Sequence, residues 1–160
     1  MKKNTITLTR LKDIRIEALI DCADQVTLAV WAKECVKRVL PCFEKEYQED
    51  KRPQIAIQAL EDWIETGVFK MASIRKASLD AHAAARVAAE DSAARSVAHA
   101  AGQAVAVAHV PRHSLGAVVY ALQAVWRAAG TSAPETAVIR EKEWQYRRLQ
   151  DLMRLGYLKN

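Results

Sequence analysis

Residues 82–113 read HAAARVAAEDSAARSVAHAAGQAVAVAHVPRH. Alanine dominates the stretch, glycine appears only at Gly102, and proline only at Pro111. Alanine has the highest helix propensity of any residue, and no alternation of apolar and polar positions marks a strand. Its short side chain also lets two helix axes approach closely. The stretch therefore reads as closely packed helices, broken at Glu90-Asp91-Ser92. Acidic residues there suit the positive end of a new helix. All four histidines of the chain, His82, His99, His109 and His113, fall in this stretch.

The helical reading extends in both directions. Downstream, a helix starting near Pro111 carries the clearest apolar stripe: Leu115, Val118, Val119, Leu122, Val125 and Trp126. Gly130 ends it. The last helix follows Ser132-Ala133-Pro134 and runs to about Leu155, with Ile139, Tyr146, Leu149, Leu152 and Met153 as its buried set. Upstream, one helix spans about Lys70 to Ala89. Before it, DKRPQIAIQALEDW at 50–63 opens a helix with Pro53 in its first turn and Gly67 at its end. The earliest strong helix runs from Asp24 to Glu49, with a kink or tight junction at Pro41. Strand-like alternation is confined to Thr5-Ile6-Thr7-Leu8. The class is all-α: one domain of about six helices, packed as an irregular or repeat-like bundle. Residues 1–20 form an N-terminal extension and residues 21–160 the helical domain. RPQIAIQALEDW and PRHSLGAVVYALQAVW both place proline near a helix start and tryptophan about ten residues later, a weak internal echo.

With 160 residues, one domain is expected, long enough to bury roughly 70 % of its unfolded surface. Apolar residues at 51 % and charged residues at 27 % fit a globular chain and not a disordered one. No apolar run follows Met1-Lys2-Lys3, and none approaches the ~18 residues of a membrane span, so neither a leader nor a membrane partner is expected. Cys22, Cys35 and Cys42 form no CxxC pair; an odd number without a leader points to reduced thiols and a cytoplasmic setting. Cys35 and Cys42 share a helix face and read as core packing. The net charge of +5 is spread along the chain, which permits nucleic-acid binding without arguing for it.

Metal-binding histidines on one helix sit three or four apart. His82 and His99 lie on different helices, and His99 and His109 are about 80° apart around one. His109 and His113 are four apart, but Pro111 interrupts them. No HExxH, GxSxG or phosphate loop is present, so neither a catalytic residue nor a cofactor is assigned. The favoured reading is a polar network that fixes helix register, formed by His82, Arg86, His99 and His109, with Asp80 and Asp91 as acceptors. A metal-dependent enzyme using His82, His99 and His109 is the less favoured alternative.

Trp31, Trp63 and Trp126 fall on apolar stripes. Trp144 lies among Arg140, Arg147 and Arg148, and Arg140 or Arg148 can stack on its ring. Asp50, Arg52, Arg112 and His113 sit at helix starts next to proline, and such starts tend to gather at one end of a bundle. With Trp144 they are the candidate partner-binding residues. A nucleic-acid surface would use Arg140, Lys142, Arg147, Arg148 and Arg154, but Glu141, Glu143 and Asp151 interrupt that set.

Four segments in order carry a resemblance: WAKECVKRVLPCFE at 31–44, DKRPQIAIQALEDW at 50–63, AHAAARVAAEDSAARSVAHAAGQAVAVAHV at 81–110 and LGAVVYA at 115–121. Together they resemble the all-helical immunity five-like family of immunity proteins from bacterial polymorphic toxin systems. The resemblance covers about residues 24–128, and Asp50, Arg52, Pro53, Ala56 and Ile57 are its most specific element. It implies a cytoplasmic bacterial protein that binds and neutralises a cognate protein toxin, and it transfers no catalytic residue. Association of two copies is compatible with it.

Overall fold

The computed structural model describes residues 5–156, and these are helical without a strand. The helices are α1 (Leu8–Leu11), α2 (Ile14–Cys22), α3 (Gln25–Val39), α4 (Pro41–Glu44), α5 (Arg52–Thr66), α6 (Met71–Val87), α7 (Ala93–Ala106), α8 (His113–Ala129) and α9 (Pro134–Leu155). Met1-Lys2-Lys3 and the last four residues of the expected helical domain lie outside the described residues.

The alanine-rich segment decides the architecture. α7 packs against α3, α4, α5, α6 and α8. Ala94, Ala98, Ala100, Ala101 and Ala104 are completely buried. A helix with neighbours on most of its circumference needs short side chains all round. Ser92 caps its start, its Oγ accepting the Arg95 N–H at 3.1 Å. Ser78 Oγ on α6 donates to the Gly102 carbonyl on α7 at 2.8 Å, and His82 meets His99. One helix is thus numbered up while the other is numbered down, so the two are antiparallel. α8 returns along the other side: Gln103 meets His113, and Ser96 meets Gln123.

α9 closes the fold over α3. The fully buried Trp31 donates its indole N–H to the Gln145 carbonyl at 2.9 Å, and the Gln145 amide donates to the Val118 carbonyl at 3.2 Å. Glu34–Arg148 and Arg38–Glu141 pairs fasten the two helices further out.

Three expectations are corrected. The helical segments outnumber six, because the N-terminal stretch forms α1 and α2. Asp13 caps α2 by accepting the Arg15 N–H at 2.9 Å, and Leu11, Ile16 and Ile20 bury into the main core. α2 thus includes residues on both sides of position 20. Thr5 to Thr7 form no strand, and Leu8 already belongs to α1. The junction expected at Pro41 is present and tight: Pro41 has no N–H to continue the ladder, Leu40 N–H still bonds the Val36 carbonyl at 2.9 Å, and α4 ends at Glu44. In α9 the buried row is Val138, Gln145, Leu149 and Leu152, and Ile139, one position off that row, is 67 % exposed. Gly67 ends α5 with φ +67°, the left-handed position that glycine occupies without strain. Cys35 is buried in the core, Cys42 is half-buried and Cys22 is exposed.

Candidate functional site

Three helix stripes build one polar face. On α6, Arg75, Leu79, His82 and Arg86 recur at spacings of four, three and four, within about 60° of arc. On α7, His99, Gln103 and Ala106 share a stripe, and on α8 His113 and Tyr120 do the same. Because α6 and α8 both run antiparallel to α7, these stripes lie side by side. His82 Nδ1 and His99 Nδ1 are 2.8 Å apart, and the His99 ring stacks on Tyr120 with centroids 5.0 Å apart. His113 Nδ1 is 2.8 Å from Gln103 Oε1. With that oxygen as acceptor, the His113 Nδ1 carries the proton.

Two glycines make room for these contacts. A Cβ on Gly102 would lie 2.7 Å from His82 Nε2, and one on Gly116 would lie 2.8 Å from Gln103 Oε1. Glycine in a helix interior costs about 1 kcal/mol relative to alanine, so here close packing is won at the expense of propensity.

The face holds its imidazoles neutral. Burial pushes the His99 pKa down to about 4, helped by His82, Arg95, Arg86 and Arg127. Burial, then Arg86 and His113, lowers that of His82; burial, then His109, lowers that of His113. The groups that act on these rings are cations and other imidazoles, and each of them favours the neutral ring.

The expected network of His82, Arg86, His99 and His109 forms in part. His82 and His99 bond to each other. Arg86 acts on them through its charge, without a hydrogen bond to either. Asp80 pairs instead with Lys76 at 2.5 Å, and Asp91 with Arg127 at 3.2 Å. His109 is exposed and stacks on Phe69 at 6.2 Å. Among the described residues, no group of three or more His, Cys, Asp or Glu side chains could hold a metal ion.

A cleft of about 320 Å³ opens at one end of this face, lined by Met71, Ile74, Arg75, Leu79, His109 and His113, among others. Its rim inverts the usual pattern. α6 buries Ala77, Ala81, Ala84 and Ala85 against α7, while Leu79 stays 55 % exposed and Met71 44 %. Phe69, Val68 and Val110 are exposed nearby in sequence.

The candidate partner-binding residues do not form one group. Asp50 and Arg52 bind each other, with Arg52 Nη2 2.6 Å from Asp50 Oδ2; that pairing holds the Asp50 carboxyl below its ordinary range. Arg112 reaches Asp21 at 2.7 Å and Glu17 at 3.9 Å on α2. Only His113 lines the cleft. Trp144 is half-buried, and the cation over its ring is Arg38 from α3, at 3.9 Å, not Arg140 or Arg148. Around it, Arg147 faces Glu143 at 3.7 Å, Arg148 binds Glu34 and Arg154 binds Asp151. Carboxylates thus engage three of the five cations proposed for nucleic acid. Arg75, Leu79, Gln103 and Tyr120 were not singled out from the sequence. The signal for the α6 pair was the Arg75-Leu79-His82-Arg86 spacing. Standard reading assigns the leucine to the core, whereas the alanines occupy it.

Fold and face together define an all-α protein that gathers its histidines on one helical surface, with no metal-binding constellation among the described residues. The chain belongs to the family described as Imm-5 like putative immunity protein, whose model matches residues 18–152. That match takes in every element from the end of α2 to most of α9, including the whole histidine face. No curated protein and no solved structure matches the chain significantly.

Proposed function

We propose that this chain binds a cognate protein toxin and neutralises it by covering the surface the toxin needs. The setting is the cytoplasm of the bacterium that makes both. The observation that carries this reading is the family match across residues 18–152. It fits with an all-helical chain in which no helix among the described residues is long and apolar enough to cross a membrane. Masking by contact asks for a preformed surface and needs no catalytic group. The contact centres on the cleft at the start of α8, with His113 at its edge and Arg112 beside it in sequence. Asp50 and Arg52 serve the contact by ordering the start of α5, and Trp144 lies on a separate rim.

The test begins with the tagged full chain as bait in a lysate of its native host, followed by expression of the recovered partner alone. A stoichiometric partner with a domain that arrests growth on its own is the expected result. A partner that is harmless when expressed alone, or nucleic acid that disappears with nuclease, counts against the reading. Two copies recovered together, with nothing else, would point instead to a homodimer.

A further inference from the structure

We infer that the α6–α7–α8 face docks an acidic, apolar-anchored segment of the partner protein: one apolar side chain enters the cleft between Met71, Leu79 and Ile74, and carboxylates flank it on Arg75 and Arg86. This deepens the reading of the chain as a toxin-binding protein and rests on it. Charge complementarity carries the choice of partner. The cleft lining holds Arg75, His109 and His113 and no carboxylate. Neither Arg75 nor Arg86 has a hydrogen-bond or ion-pair partner among the described residues, whereas Lys37, Arg38, Arg52, Lys76 and Arg112 are each paired. Two free guanidiniums on one stripe, with an exposed leucine between them, present cation, apolar anchor and cation in line. A basic segment would meet repulsion at both ends. A wholly acidic but apolar-free segment would leave Leu79 and Met71 in water.

Helix geometry sets the spacing. Arg75 and Arg86 are eleven positions apart, about 16 Å along the axis at 1.5 Å per residue. A helix of roughly three turns, with apolar residues on one face and carboxylates near its ends, spans that distance.

The experiment is selection of a displayed random-peptide library on the immobilised full chain, with the enriched peptides then synthesised and their affinities measured. Enrichment of peptides with apolar residues flanked by Asp or Glu is expected. Their affinity should drop about tenfold or more with Arg75→Glu/Arg86→Glu and with Leu79→Ser. Arg140→Glu/Arg147→Glu, which changes net charge equally on the far rim, should leave it within about twofold. Thermal melts confirm that each variant is folded. Basic or purely apolar consensus peptides, no enrichment, or equal loss with the Arg140/Arg147 control would overturn the inference. No toxin enters this experiment. Its failure therefore leaves toxin binding open to its own test, and failure of toxin binding leaves the chemistry of the cleft measurable.

Discussion

His99 is a residue whose surroundings reach into its chemistry. Its ring is wedged between His82 and Tyr120, close to three arginines, and its pKa falls from an ordinary 6.5 to about 4. The depressed value means that the unfolded chain takes up a proton more readily than the folded one. Stability contributed by the neutral ring is therefore present above pH 6.5 and is lost as pH falls from there towards about 4. Protonating both rings also breaks the Nδ1–Nδ1 bond, which needs one donor and one lone pair. Denaturant melts between pH 7 and 4.5 should show the wild type losing stability on acidification, and His99→Gln losing distinctly less. Parallel curves for the two would show that other groups dominate the acid response. The existence of a histidine cluster was visible in the sequence. That His82 would meet His99 and leave His109 apart was not, because it depends on which faces of α6 and α7 come together.

α7 is the element that organises the rest, and its alanines were legible as a packing signal from the start. Ala101 is completely buried among neighbouring helices, whereas Ala72 near the start of α6 is exposed. Ala101→Leu should cost about 1–3 kcal/mol or more, since a close-packed interface has no room for the added carbons. Ala72→Leu should change stability by less than about 0.5 kcal/mol. Chemical denaturation of both variants checks the contrast, and a mild effect at Ala101 would mean that α7 is more loosely held than its burial indicates. Helix boundaries from α3 onward were readable where caps and breakers mark them, at Asp24, Pro41, Gly67, Ser92 and Gly130; the end of α4 at Glu44 carries no such mark and was read five residues late. α1 and α2 escaped because they are short, four and nine residues, and charged residues from Arg10 to Asp21 interleave with their apolar ones; contact with α8 and α9 reveals Leu11, Ile16 and Ile20 as core. On α9, Leu149 and Leu152 lie on the buried row as expected, but Val138 and Gln145 take the places expected for Ile139 and Tyr146, because Gln145 is held by its amide to the Val118 carbonyl and a glutamine does not announce itself as core.

At the scale of the whole molecule, net charge is a poor guide to the surface. The +5 is spread along the chain, but Lys37 and Arg38 on α3 and three of the five cations at issue on α9 are bound to carboxylates, while Arg75 and Arg86 share one stripe of α6 without such a partner among the described residues. That distribution needs the folded arrangement and could not be read from composition. The family, by contrast, was visible in the order of four segments, and the match over residues 18–152 extends past both ends of the stretch in which they lie. A protein that neutralises by contact needs no turnover, so protection should scale with the number of chains present. The most direct measurement is growth of cells expressing the partner's toxic domain, with and without this chain. Restored growth at equimolar expression, with a one-to-one complex on gel filtration, is the outcome that toxin masking requires. Continued arrest with both proteins folded and soluble, or rescue at far less than one chain per toxin, would contradict it.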